Sequence, residues 1–298
     1  VCNRQNNIGA DGVVFFQAKR LLIINSDGSF AATCGNALRA FGYKLLLDDQ
    51  WDGKKHLTIS RLAIPFSIKK EQLKFDESFI QDVDHVFAEL VFGDKTTKVV
   101  GVLFAKEKKI IPTHLNLSIE SFIENHIYKN KQEVFTQSTN KTTESLSTIG
   151  INPIYVELEN PHWVFFSTQF AHFKDNDFIE FGKAAQSGAL LKSVTNGPIP
   201  LSNISMVTLK ESGSTNQQSN HYDVTTYERG AGLTKACGSG AIASALALNF
   251  NAMVKNKQED IAIVMPGGQL MVNLGLYANS NKILLSSSAH FVEKGVCP

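Results

Sequence analysis

The sequence predicts an α+β fold of two pseudo-symmetric halves, each a β-sheet or barrel wrapped around one central helix. Three observations carry this expectation. Short apolar runs separated by turn signals dominate the first hundred residues. Two apolar helical stretches each begin directly after a cysteine-glycine turn. The two turns are copies of one another, about two hundred residues apart.

Taken in chain order, strands are expected at 12–16 (GVVFF), 21–25 (LLIIN), 56–60 (HLTIS), 62–68 (LAIPFSI), 85–92 (HVFAELVF) and 99–104 (VVGVLF). The turns GADG, NSDG and WDGKK separate them. The first helix is expected over 34–47; it reads as apolar over most of its circumference and therefore buried. From 114 to 148 the text turns polar, with an amphipathic helix expected first and an exposed loop, TQSTNKTTES, after it. That segment marks the domain boundary: 1–113 plus about 286–298 form an N-terminal half, 114–285 a C-terminal half, and 114–148 is linker or insertion. Strands resume in PIYVELENPHWVFF, a helical stretch covers 176–192, and NISMVTL and HYDVTTYE lead to the second helix. Then IAIVMPGGQLMVNL forms a hairpin turning at its Pro-Gly-Gly, and ILLSSSAHFVEKGV returns to complete the first sheet.

The repeat is where the chemistry concentrates. Cys34-Gly35-Asn36-Ala37 matches Cys237-Gly238-Ser239-Gly240. Nine residues before Cys34 stands Asn25, opening NSDGS; nine residues before Cys237 stands Glu228, opening ERGAG. A cysteine at a helix start meets unpaired N–H groups and roughly half a positive charge, which favours its thiolate. The same N–H groups bind anions such as a carboxylate. Two such starts facing one cavity would grip a single anion with a thiol on either side of it. A carbon between two thiols can lose a proton to one and regain it from the other, inverting its configuration without a cofactor.

Composition narrows the partners. The 298 residues carry 29 Lys and Arg against 28 Asp and Glu, a net charge of +1, which argues against nucleic acid or a membrane surface. No apolar run approaches the roughly 20 residues of a membrane span, and the opening VCNRQNNIGADG lacks signal-peptide features, so a cytoplasmic protein is expected. The four cysteines are dispersed with no CxxC or Cys/His spacing, so no metal site is expected, and Cys2 and Cys297 read as packed, unreactive thiols. Val1 to Gly9 read as the middle of a strand and turn, as though a first strand were missing.

The segments IGADGVVFF, NSDGSFAATCGNALRAFGY, ENPHWVFF, ERGAGLTKACGSGAIAS and MPGGQLMV, in this order, resemble the diaminopimelate epimerase family. The resemblance implies two domains with the substrate in the cleft between them. It implies a pyridoxal-independent, cofactor-free isomerase that interconverts LL- and meso-diaminopimelate, supplying lysine and peptidoglycan synthesis, and a homodimer. Cys34 is then the thiolate base toward the L-configured centre and Cys237 the thiol donor on the other face, with roles reversed in the reverse direction. The amides at Gly35, Asn36, Gly238 and Ser239 hold the carboxylate of the reacting centre. At the other end of the substrate Arg229, helped by Asn25, Asn160 and Asn203, grips a carboxylate with its planar fork, and Glu228 pairs with an ammonium. His162, in the family's NPH pattern, orients the reacting ammonium or a catalytic thiol. Asp11, Gly12, Asp27 and Gly28 shape loops near the cleft.

The sequence departs from the family in places. The family's GNDF-like opening has no counterpart, Phe30 and Leu233 stand where acidic residues are usual, and Glu159 replaces a glycine before NPH. These differences leave a second reading open, a two-cysteine racemase of another amino acid on the same fold.

Overall fold

The computed structural model describes residues 10, 12–17, 20–26, 28, 30, 34–48, 50, 56–61, 86–92, 100–105, 109–112, 153–158, 160–166, 175–186, 202–208, 220–254, 260–276, 279 and 282–289. The strand expected at 62–68, the segment 114–148, Cys2, Cys297, Asp11, Asp27 and Glu159 lie outside them. The described residues form an α+β fold rich in strands with few helices. The chain divides into two units, one of Val1–Lys106, Asn256–Ala262 and Gln269–Pro298, the other of Glu107–Lys255 and Ile263–Gly268.

In the first unit β1 (Gly12–Gln17) and β2 (Arg20–Asn25) form a hairpin with Gly12 opposite Asn25. β3 (His56–Arg61) runs parallel to β2, and β4 (Val86–Phe92) and β5 (Val100–Ala105) continue antiparallel. On the far side of β5 lies β14 (Lys282–Ser287), with Ile283 opposite Phe104, so the closing run does complete the first sheet. β13 (Gly268–Asn273) pairs with β14. Helix α1 (Gly35–Leu47) packs on β4, β5 and β14. Its Leu38, Phe41, Leu45 and Leu46 join Leu21, Ile23, Leu57, Ile59, Leu90, Phe92 and Val102 in one core. At roughly 1.5–3 kcal/mol per fully buried large apolar side chain, this face is what holds the helix.

The second unit is built on β6 (Lys109–Pro112), β7 (Ile154–Glu157), β8 (His162–Phe166), β9 (Asn203–Thr208) and β10 (His221–Glu228), in that spatial order. β8 and β9 are parallel, which requires a crossover, and the chain between them carries α2 (Asp175–Gln186). Phe181 of α2 meets Phe165 of β8 edge-on at 5.0 Å. A short β11 (Gly232–Thr234) folds back on β10, and β12 (Ile261–Met265) pairs with β10. Helix α3 (Gly238–Phe250) packs on β7 to β10 and is buried from Gly238 to Leu248.

One expectation needs correction, and two details are added. The first helix buries one face only: Ala40, Lys44 and Leu47 are exposed, because the sheet lies on one side of α1. The helix buried all round is the second. PIYVELENPHWVFF is two antiparallel strands, broken where Pro161 removes a backbone donor and disfavours continued pairing. β6 and β11, both short, are additional elements fixed by pairing with β7 and β10.

Candidate active site

The repeated motif is a repeated structure. β2 ends at Asn25 and β10 ends at Glu228. Each final residue accepts a turn-closing hydrogen bond three residues on, from Gly28 N–H to Asn25 O at 3.0 Å and from Ala231 N–H to Glu228 O at 3.3 Å. Gly28 and Gly230 take φ of 83° and 78°, the left-handed region that glycine enters without steric cost. The chain then folds back onto its own strand: Ile24 bridges Phe30, and Tyr227 pairs with Leu233. Each turn delivers a cysteine in extended conformation, Cys34 at φ −145°, ψ 102° and Cys237 at φ −130°, ψ 112°, as the N-cap of a helix of 13 residues. In both, the cysteine carbonyl accepts the first helical hydrogen bond, from Leu38 at 3.0 Å and from Ala241 at 2.9 Å.

The two thiols sit in different surroundings. Cys237 is buried at 3 % exposure. Gly240 N–H donates to its Sγ at 3.3 Å, and Ser239 Oγ lies 3.4 Å away. Its own N–H donates to Met265 Sδ at 3.3 Å. Burial, together with the charge of Glu228 and a hydrogen bond to it, pushes the thiol well above the ordinary value, against the opposing hydrogen bonds of Ser239 and Gly240. Cys237 is therefore held protonated. Glu228 Oε1 also accepts from Thr234 Oγ1 at 2.5 Å.

Behind Cys237 runs a closed polar network. His162 is fully buried, and its pKa falls to about 3 because burial penalises the imidazolium. Arg229 N–H donates to Asn203 Oδ1 at 2.8 Å, which turns Asn203 Nδ2 toward His162 Nε2 at 3.2 Å. A ring nitrogen that faces an NH2 group must accept, so Nε2 is bare and Nδ1 carries the proton. Nδ1–H then donates to Ser205 Oγ at 3.0 Å, and Ser205 lies 3.2 Å from Thr226 Oγ1. Ser239 Oγ lies 3.0 Å from Nε2 and 3.4 Å from Cys237 Sγ, between the ring and the thiol. Both ring nitrogens are thereby engaged, and His162 reaches Cys237 through Ser239. Gly240 permits this closeness: a Cβ there would lie 2.7 Å from Thr226 Oγ1 and 3.2 Å from Ser205 Oγ.

Cys34, in the first unit, is half-buried and receives no side-chain cap hydrogen bond. Five residues on, Arg39 is buried at 7 % exposure; it donates through Nη1 to Ser288 O at 3.1 Å and through Nη2 to Asn36 Oδ1 at 2.6 Å.

Of the residues expected from the sequence, the second unit brings His162, Asn203, Glu228, Arg229, Cys237, Gly238 and Ser239 together. Arg229 reaches the group through its backbone, its side chain being exposed. Asn160 stands two residues before His162, half-buried. The first unit places Cys34, Gly35 and Asn36 at the start of α1 and Asn25 at the end of β2. Sequence reasoning missed Arg39, Ser205, Thr226 and Met265. Arg39 left a signal, being a charge on the helix face that also carries Leu38, Phe41 and Leu46.

Among the described residues no group of three or more His, Cys, Asp or Glu is arranged to hold a metal, and no helix is long and apolar enough to cross a membrane.

No family model matches the chain. Curated relatives match along nearly its whole length. The diaminopimelate epimerase of Carboxydothermus hydrogenoformans is 27% identical over 300 residues, 99% of this chain and 86% of the relative. That of Clostridium perfringens is 26% identical over 282 residues, 92% and 80% of the two chains, and that of Desulfitobacterium hafniense 25% over 302 residues, 99% and 85%. Among solved structures, a phenazine biosynthesis protein of the PhzF family from Bacillus anthracis shares the fold, with a TM-score of 0.54 at 12% identity over 92% of this chain and 78% of that one.

Proposed function

We propose that this chain, an isomerase homologous to the diaminopimelate epimerases, interconverts LL- and meso-diaminopimelate by two-thiol proton transfer. One observation supports the reading most. Strand end, glycine turn, fold-back pair and cysteine N-cap recur in the same order in both units, so each unit supplies one thiol at a helix start, as a two-thiol proton transfer needs.

In the forward direction the Cys34 thiolate takes the Cα proton and becomes a thiol. The electron pair left on Cα is spread into the adjacent carboxylate, which the N–H groups following each cysteine, at Gly35, Asn36, Gly238 and Ser239, stabilise. Cys237, held as a thiol by burial and Glu228, gives its proton to the opposite face and becomes the thiolate. Configuration is inverted and nothing is consumed. The protein emerges with its two protonation states exchanged, ready for the reverse direction.

The distal head of the substrate is assigned to Arg229 for the carboxylate and Glu228 for the ammonium, with Asn25 and Asn160 assisting. Asn203 has Oδ1 on Arg229 N–H and one Nδ2 hydrogen on His162, which leaves its other Nδ2 hydrogen for an anion. Supply of lysine and peptidoglycan precursors, a cytoplasmic location and a homodimer belong to the same reading by resemblance; sedimentation of the purified chain reads the last.

A second reading, a racemase of another amino acid, is favoured by Phe30 and Leu233, apolar residues at the two equivalent fold-back positions.

The reading is tested by proton exchange. Reduced protein given LL-diaminopimelate in heavy water is expected to place deuterium at Cα and approach a mixture of isomers. Absence of exchange would overturn it.

A further inference from the structure

We infer that the Met-Pro-Gly-Gly turn between β12 and β13 is a clamp on the loop of the second thiol, with Met265 as the positioning residue that holds Cys237 through its backbone. The catalytic consequence rests on the two-thiol reading above; the clamp itself does not.

The turn is brought to the loop by its own strand. Met265 is the last residue of β12 and shares a strand face with Ile261 and Ile263, and all three are buried. Pro266 and Gly267 then turn the chain into β13, which opens at Gly268 with φ 132°, a conformation that L side chains rarely adopt. Nothing lies within 4 Å of the place a Cβ would occupy on Gly268, so that glycine serves the turn alone. Gly267 serves the approach. Its N–H donates to Lys235 O at 2.6 Å, and a Cβ there would lie 2.9 Å from that oxygen and 3.1 Å from Lys235 Cβ.

Two residues on, the Cys237 N–H donates to Met265 Sδ at 3.3 Å. A thioether is a weak acceptor. It serves here because both residues are buried, so water does not compete for the donor and an unmade bond would leave a buried N–H without a partner.

With that bond in place, each polar group of Cys237 is held. Its carbonyl accepts from Ala241 N–H at 2.9 Å and its Sγ from Gly240 N–H at 3.3 Å. Those bonds belong to the helix start and fix the residue from its C-terminal side; the turn fixes it from its N-terminal side. A cysteine pinned on both sides keeps its extended backbone, φ −130° and ψ 112°, and with it the direction in which the thiol leaves the chain. A proton donor needs this, because transfer slows steeply once the donor moves off the line to the accepting carbon.

The test is amide hydrogen exchange of Cys237, resolved by NMR in the full chain without substrate. In the native protein this amide is expected to be strongly protected. Met265→Leu nearly keeps the side-chain volume and removes the acceptor. It is expected to quicken exchange at the Cys237 N–H about tenfold, while the Ala241 N–H, bonded inside the helix start, keeps its native rate. Gly267→Ala, which pushes the turn away from Lys235, is expected to act in the same selective way. With diaminopimelate, Met265→Leu is expected to lower kcat about tenfold and leave KM near native, because no part of the turn binds substrate in the proposed scheme. A methionine that only fills space would alter the melting temperature and leave Cys237 and Ala241 exchanging in their native ratio. The proposal is overturned by that unchanged ratio in a folded variant, by a native kcat in a Met265→Leu protein whose Cys237 amide has quickened, or by a native Cys237 amide that exchanges as fast as an unprotected one, a measurement that needs no variant to fold. Selective loss of protection, with no deuterium placed on diaminopimelate by the native protein, supports the clamp and removes the epimerase reading; deuterium transfer with an unchanged ratio does the reverse.

Discussion

The hydroxyl of Ser239 stands 3.0 Å from Nε2 of His162, and this contact ties the second cysteine to a ring that carries no charge. A neutral imidazole between two hydroxyls orients without competing for the proton that Cys237 must deliver. Had the ring been charged, its positive field would have favoured the Cys237 thiolate and undone the effect of Glu228.

Neutral burial of His162 fixes a stability dependence on pH. The folded pKa, about 3, lies below the unfolded value of 6.5. Between those values the unfolded chain binds a proton that the folded chain refuses, so stability is full above about 6.5 and falls as pH drops toward 3. His162→Gln, which keeps one donor and one acceptor, is expected to lower the melting temperature at pH 7.5 but to lose less on moving to pH 5 than the native protein. Equal losses in the two proteins would show that the ring is not buried neutral.

Burial first, and then the charge of Glu228, hold the second thiol protonated. In Glu228→Gln both the charge and the accepting carboxylate are gone, so the Cys237 pKa should fall, and alkylation of Cys237 should quicken at neutral pH. Proton delivery to substrate should weaken at the same time. Faster labelling with slower exchange is the expected pair of results; unchanged labelling would remove Glu228 from this role.

Gly240 is a packing requirement. In Gly240→Ala the new methyl meets Thr226 Oγ1 at 2.7 Å, and overpacking of this kind costs about 1–3 kcal/mol. Because the clash is with one hydroxyl, Thr226→Ala should relieve much of it, and the double variant should be more stable than the sum of the two single losses predicts. Strict additivity in denaturant unfolding would show that the strain lies elsewhere.

What the sequence made legible was local. The extended runs, the two helix starts and the glycine turns are written in neighbouring residues, so Cys34, Cys237, Gly28 and Gly230 are found without a structure. β6 and β11 are four and three residues long, too short to show alternation, and exist because β7 and β10 offer them a partner. Ser205 and Thr226 look like ordinary strand residues; only the approach of α3 at Gly240 and the ring of His162 turn them into a network. Arg39 is intermediate, since its place on an apolar helix face is visible but its partner Ser288 lies 249 residues away.

The choice between the two substrate readings falls on Arg229. Its backbone N–H is fixed by Asn203, while its side chain is exposed and is the charged partner of the distal carboxylate in the proposed scheme. A fork on a carboxylate contributes roughly 3 kcal/mol, close to a hundredfold in kcat/KM. Arg229→Ala should therefore reduce kcat/KM for diaminopimelate by about a hundredfold or more, because the distal carboxylate loses its partner. Removing the guanidinium leaves both thiols and their N–H groups in place, so a substrate with a single amino-acid head should be processed at nearly its native rate. If the variant epimerises diaminopimelate as well as the native protein does, the distal carboxylate is bound by other residues or is not part of the natural substrate, and the racemase reading gains.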